Sequence, residues 1–133
     1  MEGSQRDKAK MLKTLIVEDS AIFRVLLKET LQSRFPFMEI SEATSGHEAL
    51  QKVEALSPDL IFMDIKLPEE SGLELTTKIK TEHPNITVIM LTSYDTPEYR
   101  EAASQARADF FLAKGSSTKT GILELVESIV SAQ

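Results

Sequence analysis

Four short apolar segments of this sequence are each followed by side chains suited to phosphate or metal chemistry. Glu18 and Asp19 follow the first such segment, and Asp64, Thr92 and Lys114 follow later ones. Carboxylates that meet at one place repel one another unless a pKa rises or a cation binds. Oxygen ligands without histidine or cysteine favour Mg²⁺ or Mn²⁺ over zinc. Because a carboxylate can also attack phosphorus, these residue types predict metal-assisted phosphoryl transfer to an aspartate.

The apolar segments themselves are spaced like the strands of repeated βα units. Five of them are visible, and their first residues are 23 to 26 positions apart: Leu12–Val17, Phe37–Ile40, Leu60–Met63, Ile86–Leu91 and Phe110–Ala113. Within the first, third and fourth segments, the residues Leu15–Val17, Leu60–Met63 and Val88–Leu91 are apolar without alternation, which is typical of strands buried on both faces. The spacing therefore predicts five parallel strands joined by helices.

Helical periodicity fills the intervals between the strands. The predicted helices are Ala21–Leu31, His47–Leu56, Leu73–Ile79, one starting at Thr96-Pro97, and Ile122–Val130. In the first of them the apolar face is expected to carry Ile22, Val25, Leu26 and Leu31. Five βα units in series predict an α/β fold with helices on both faces of the sheet. Ligands bind at the carboxyl ends of such strands, so the chemically suited side chains should share one edge.

Length and composition exclude several classes of protein. The 133 residues suit one domain, expected over 11–133, preceded by a loose polar tail at 1–10. A net charge of −6 argues against direct nucleic-acid binding, and no apolar run is long enough for a membrane span. The absence of cysteine fits a cytoplasmic protein. Neither His47 nor His83 has a metal-binding partner at the spacing of a sequence motif.

Each candidate residue also has a simpler explanation when it is taken alone. Glu18 and Asp19 could simply cap the helix that starts near Ser20, whose dipole favours acidic side chains. Asp64 could begin a turn, Thr92 could be structural, and Lys114 could be a solvated charge. Their joint placement at the ends of four strands is what favours a common site.

The order of motifs resembles the receiver domains of two-component response regulators, the CheY-like family. The resemblance rests on six segments and covers nearly everything from Leu12 to the C-terminus: Leu15–Ser20, Ala43–Leu50, Pro58–Pro68, Gly72–Leu75, Val88–Ser93 and Asp109–Lys114. It implies a flavodoxin-like, doubly wound (βα)5 three-layer sandwich. The resemblance further implies a parallel five-stranded sheet with strand order 2-1-3-4-5.

The resemblance also implies roles for individual residues. Asp64 corresponds to the phosphorylated aspartate. Glu18 and Asp19 correspond to the acidic pair that holds Mg²⁺ together with Asp64, and the backbone carbonyl of Lys66 corresponds to a further metal ligand. The cofactor is therefore expected to be Mg²⁺, with Mn²⁺ as a substitute.

Three further positions correspond to the hydroxyl, lysine and aromatic residue of the family's switch. Thr92 and Lys114 occupy the first two positions, and both would contact the phosphoryl group. Phe111 occupies the aromatic position, where phenylalanine replaces the more usual tyrosine and has no hydroxyl. Gly115 follows Lys114 where the family usually has proline.

By resemblance, the chain is expected to accept a phosphoryl group from a sensor histidine kinase or a phosphotransfer protein. It would then act on a downstream effector protein or a fused output domain, and a phosphorylation-dependent homodimer is a further expected partner. Such a domain is not an enzyme beyond self-phosphorylation and autodephosphorylation.

The main alternative is a pseudo-receiver that works without phosphorylation. An aspartate-nucleophile phosphatase would need a second aspartate where Lys66 stands, and three carboxylates would repel the phosphate of a flavin.

Overall fold

The computed structural model describes residues 12–132, so the predicted tail at 1–10 lies outside the described residues. Its main sheet has five parallel strands: β1 Lys13–Val17, β2 Glu39–Ala43, β3 Leu60–Asp64, β4 Thr87–Thr92 and β5 Phe110–Ala113. The strand order is β2-β1-β3-β4-β5. The predicted α/β fold and its strand order are therefore confirmed.

Five helices follow the five strands: α1 Ala21–Arg34, α2 Gly46–Leu56, α3 Gly72–Glu82, α4 Pro97–Gln105 and α5 Lys119–Ala132. Four of them have a serine or threonine as the N-cap residue. The predicted N-cap Thr96 is confirmed, since its Oγ1 accepts a hydrogen bond from the backbone amide of Tyr99. None of the helices in residues 12–132 is long and apolar enough to cross a bilayer.

The helices cover both faces of the sheet, and the strands divide their side chains between two cores. Ile16 packs on one face with α1 and α5, whereas Leu15 and Val17 pack on the other with α2, α3 and α4. Alternating side chains of a strand point to opposite faces, so a strand buried on both faces has to be apolar throughout. In β3 the four residues before Asp64 are completely buried.

Two local predictions were wrong. β2 begins at Glu39 rather than Phe37, because it is an edge strand whose partly exposed residues tolerate charge. The apolar face predicted for α1 is also wrong in part, since Ile22 is 77% exposed and Val25 and Leu26 are each 49% exposed. The helix buries the predicted Leu31 together with Leu27 and Thr30, a set that recurs with the same helical period.

Candidate functional site

Three of the candidate residues, Glu18, Asp64 and Lys114, lie at or just beyond the carboxyl ends of their strands. For Glu18 and Lys114, the hydrogen-bond ladder of the sheet continues past the end of the strand. The amide of Glu18 donates to the carbonyl of Ala43 at 3.0 Å, and the amide of Lys114 donates to the carbonyl of Thr92 at 2.8 Å. Asp64 is itself the last residue of β3. These bonds fix where each side chain leaves the sheet, so the three side chains converge on the carboxyl edge.

Glu18, Asp19 and Asp64 each bring a carboxylate oxygen to this edge, and these oxygens lie within 4.8 Å of one another. Glu18 is completely buried, Asp64 is nearly so, and Asp19 is exposed. A small set of oxygen ligands that opens to solvent on one side suits Mg²⁺, which keeps several of its waters. The three residues therefore fit the predicted cation, and their role as ligands stays a prediction.

Lys114 lies among these carboxylates. Its ammonium nitrogen is 2.5 Å from Oε1 of Glu18 and 3.3 Å from Oδ2 of Asp64. The ring of Phe23 lies beneath the same ammonium group, with its centroid 4.9 Å away. One cation thus partly compensates two buried anions, and the site as a whole retains negative charge.

The buried position of Asp64 changes its acidity. Burial raises the pKa of Asp64 and the nearby charge of Glu18 raises it further, to about 6, although Lys114 opposes both effects. At neutral pH the carboxylate is mostly ionised but remains in an unfavourable environment. A cation bound at this edge would relieve the repulsion between the carboxylates of Asp64 and Glu18, so cation binding is favoured there.

Helix capping does not account for the acidic pair. Ser20 is the N-cap of α1, and its Oγ accepts a hydrogen bond from the amide of Phe23 at 3.3 Å. Glu18 accepts a hydrogen bond from the amide of Ser20 at 3.0 Å, which holds its carboxylate toward the site rather than over the helix end. The N-cap of α1 is therefore Ser20 rather than Glu18 or Asp19.

Thr92 is the last residue of β4, and its hydroxyl forms hydrogen bonds with the loop that follows. Its Oγ1 accepts a hydrogen bond from the amide of Tyr94 at 2.9 Å and lies 3.3 Å from the carbonyl of the same residue. The Tyr94 ring lies 4.5 Å from the ammonium nitrogen of Lys66, the residue that stands two positions after Asp64. Metal binding by the backbone carbonyl of Lys66 stays a prediction.

Phe111 lies on β5, beside β4, and is half buried. Its register partner is Met90, so Phe111 and Thr92 share one face of the sheet. The guanidinium of Arg100, from α4, lies 4.6 Å from the centroid of the Phe111 ring. Asp95 holds the same guanidinium with two hydrogen bonds, of 2.6 and 3.1 Å. This contact could not be predicted from the sequence, because 11 positions separate Arg100 from Phe111.

Gly72 is a positioning residue whose role the sequence did not reveal. A Cβ at this position would lie 2.0 Å from the backbone carbonyl oxygen of Asp64, which is far inside contact distance. The Gly72 amide donates to the carbonyl of Ile65 at 2.7 Å. A short antiparallel ribbon, Lys66–Leu67 with Glu70–Ser71, brings the chain back to this point. The absence of a side chain thus lets α3 begin directly against the Asp64 backbone.

Comparison with known proteins agrees with this architecture. Residues 14–127 match the family described as the response regulator receiver domain. The response regulator GacA of Pseudomonas syringae pv. syringae is 33% identical over 119 residues, which are 90% of this chain and 54% of that protein. The response regulator protein VraR of Staphylococcus aureus is 37% identical over 110 residues, which are 81% of this chain and 52% of that protein. The chain therefore spans about half the length of these curated relatives.

A solved structure shows the same fold over nearly the whole chain. It is the CheY-like response regulator receiver domain protein of Methanospirillum hungatei JF-1, which is 29% identical and has a TM-score of 0.82. The match covers 91% of this chain and 94% of that one. Together with the family match and the carboxyl-edge geometry, this similarity shows that the chain belongs to the receiver-domain family of two-component response regulators.

Proposed function

We propose that this receiver domain accepts a phosphoryl group on Asp64 from the phosphohistidine of a sensor histidine kinase or phosphotransfer protein. The observation that carries the proposal is the meeting of two further carboxylates, Glu18 and Asp19, and of Lys114 around the nearly buried Asp64. An oxygen of Asp64 would attack phosphorus while the bond from phosphorus to the donor nitrogen breaks. The bonding electron pair stays on the imidazole, so no general base is needed.

The remaining residues would stabilise the charge of the transferred group. Glu18, Asp19, Asp64 and the Lys66 carbonyl would hold Mg²⁺, whose chemistry here is to neutralise phosphoryl oxygens. Lys114 would turn from Glu18 toward one phosphoryl oxygen. Thr92 would exchange its hydrogen bond to the Tyr94 backbone for one to another oxygen. Output would pass to a downstream effector protein or to an output domain in the same polypeptide.

Incubation with Mg²⁺ and a small phosphodonor such as acetyl phosphate, followed by intact mass measurement, tests the proposal. We expect the mass of one phosphoryl group to be added, and we expect EDTA or Asp64→Asn to abolish the addition. Asp95→Asn is the matched control, since Asp95 is an aspartate outside the carboxylate cluster and should leave the modification unchanged. A protein that acquires no phosphate from either a small donor or a phosphohistidine donor would instead be a pseudo-receiver.

A further inference from the structure

A second group of metal-ligating side chains lies where α2 and α3 end. Glu54 comes from α2, while Glu82 is the last residue of α3 and His83 is its C-cap. One ligand atom from each of these residues lies within 4.8 Å of the others. Helices of this fold run back from the carboxyl edge, so the group lies at the end of the sheet opposite Asp64. The spacing of these residues in the sequence does not predict the group, because Glu54 and His83 come together only in the folded chain.

The backbone of His83 is held on both sides, and its imidazole lies within this group. The His83 amide donates to the carbonyl of Ile79 at 2.7 Å, and the His83 carbonyl accepts from the amide of Ile86 at 3.1 Å. The Nε2 atom is shielded from solvent and has no hydrogen-bond partner among residues 12–132, although 35% of the side chain is exposed. Its nearest carboxylate oxygen, Oε1 of Glu54, is 3.5 Å away. Nε2 therefore lies against the Glu54 carboxylate rather than in water.

The electrostatic setting favours a cation at this point. The carboxyl ends of helices carry partial negative charge, which makes Glu54 and Glu82 unfavourable there without a positive partner. The last turn of α2 has no basic residue. Lys80, in the last turn of α3, is directed inward to the Pro84 and Ile86 carbonyls and to Asp109. Within the described part of the chain, no lysine or arginine forms a salt bridge with either glutamate.

We propose that Glu54, Glu82 and His83 form a binding site for Zn²⁺ or a similar borderline divalent metal. An imidazole with two carboxylates suits zinc, whereas Mg²⁺ and Ca²⁺ prefer oxygen ligands alone. Ligand atoms around tetrahedral zinc are about 3.3 Å apart for bonds of about 2.0 Å, close to the separation of His83 from Glu54. Water would complete the four ligands, and the bound metal would link the ends of α2 and α3.

Calorimetric titration of the purified chain with zinc chloride, in the presence of excess Mg²⁺ to occupy the carboxyl-edge carboxylates, tests this site. We expect one Zn²⁺ to bind, and we expect His83→Gln and Glu54→Gln each to weaken binding by about tenfold or more. His47→Gln is the matched control, because His47 is an exposed histidine in the first turn of α2 and should leave the affinity unchanged. Glu54 is 71% exposed, so its substitution should not disturb folding.

The same titration distinguishes this site from the carboxyl-edge cluster. Asp19→Asn should leave Zn²⁺ affinity unchanged, and the phosphate-accepting activity of Asp64 should survive His83→Gln. Zn²⁺ binding that persists at full strength in His83→Gln, or that disappears in Asp19→Asn, would overturn the proposal. So would the absence of binding by the unaltered chain. An NMR spectrum in which Zn²⁺ selectively shifts the His83 ring signals, and not those of His47, would support it.

Discussion

The ammonium group of Lys114 lies 2.5 Å from Oε1 of Glu18, closer than the 3.3 Å that separates it from Oδ2 of Asp64. Glu18 is completely buried, so the lysine supplies the positive charge that this carboxylate requires. A metal ion at the carboxylates would take over that function and leave the lysine available for a phosphoryl oxygen. Lysine and metal should therefore compete for Glu18.

Lys114→Met is consequently expected to raise the affinity for Mg²⁺, on the order of threefold to tenfold, because it removes a competing positive charge. Phosphate acceptance should nevertheless be lost, since no cationic side chain would remain for the phosphoryl oxygen. Mg²⁺ titration followed by NMR measures the first effect and intact mass the second. Lys119→Met makes the same change of charge at an exposed position on α5 and serves as the control. Weaker Mg²⁺ binding by Lys114→Met would contradict the competition.

Asp64→Asn should stabilise the fold near pH 7 in the absence of Mg²⁺. The pKa of Asp64 is raised from 3.8 to about 6, so the native state holds this proton more tightly than the unfolded chain does. The stabilising contribution of the protonated carboxyl is therefore complete below about pH 4 and is lost as the pH rises through about 6. Solvent screening reduces the effect, and we expect the variant to gain about 1–2 kcal/mol near neutral pH.

Urea unfolding near pH 7 and near pH 4 measures this difference, which should vanish at the lower pH. Asp95→Asn is a control of opposite sign, because a hydrogen bond from Arg100 lowers the pKa of Asp95. Its substitution should remove stability near neutral pH rather than add it. An equal gain in both variants would show that the effect does not arise from the burial of Asp64.

Much of the fold was predictable because strands buried on both faces appear in the sequence as uninterrupted apolar runs. Leu60 to Met63 are apolar without interruption, and the charge of Asp64 marks the strand's carboxyl end. The polar residues at four strand ends then predicted where a site would lie, since parallel strands end at one edge. The geometry brings the side chains of Glu18, Asp19, Asp64 and Lys114 together at that edge, whereas the part of Thr92 in the site stays a prediction.

The buried face of α1, the bounds of β2 and the contacts between distant elements could not be predicted, because they depend on how the elements pack in the folded chain. In α1 the same helical period fits two overlapping sets of residues; of the predicted set Leu31 is buried, whereas Ile22, Val25 and Leu26 are exposed. The edge strand β2 was misplaced because it is only partly buried. Pairings such as Lys114 with Glu18, and contacts such as Arg100 with Phe111, join elements that spacing alone does not relate.

Gly72→Ala should displace the backbone of Asp64, the proposed phosphoacceptor. The new Cβ would lie 2.0 Å from the carbonyl oxygen of Asp64, so the backbone of one or both residues must move. We expect a loss of about 1–3 kcal/mol in the free energy of unfolding, as in other overpacked sites, and slower phosphate acceptance. Gly115→Ala is the control, because no atom lies within 4 Å of its added Cβ. Equal effects of the two substitutions would contradict a specific role for Gly72.

Lys80→Met should destabilise the fold without affecting phosphate acceptance. The buried ammonium donates to the carbonyls of Pro84 and Ile86 and pairs with Asp109 at 3.0 Å. Its removal leaves acceptors unpaired at the end of the sheet opposite Asp64. We expect a loss of about 2–3 kcal/mol, below the full cost of breaking a buried ion pair because Asp109 is partly exposed. Thermal unfolding measures the loss, and Lys78→Met, on the exposed side of α3, is the control. Slowed phosphate acceptance would contradict the prediction.

The face formed by α4, β5 and α5 should respond to phosphorylation through two opposed interactions. The Thr92 hydroxyl is now bonded to the Tyr94 backbone, and drawing it toward a phosphoryl group would open space on the face it shares with Phe111. Arg100 holds the Phe111 ring at 4.6 Å and is itself held by Asp95. We therefore expect inward movement of the ring to break the contact with Arg100.

Thr92→Ala should leave Asp64 able to accept phosphate while preventing the change at the distant face, because the pull on the loop is lost. Arg100→Ala should act in the opposite direction. A cation–π contact contributes about 0.5–1 kcal/mol, so its removal should raise the population of the inward Phe111 state by about two- to fivefold. NMR spectra recorded with and without beryllofluoride, a stable phosphoryl mimic, measure both effects. Shifts confined to the Asp64 end in the unaltered protein, or shifts of the distant face that persist unchanged in Thr92→Ala, would contradict this mechanism.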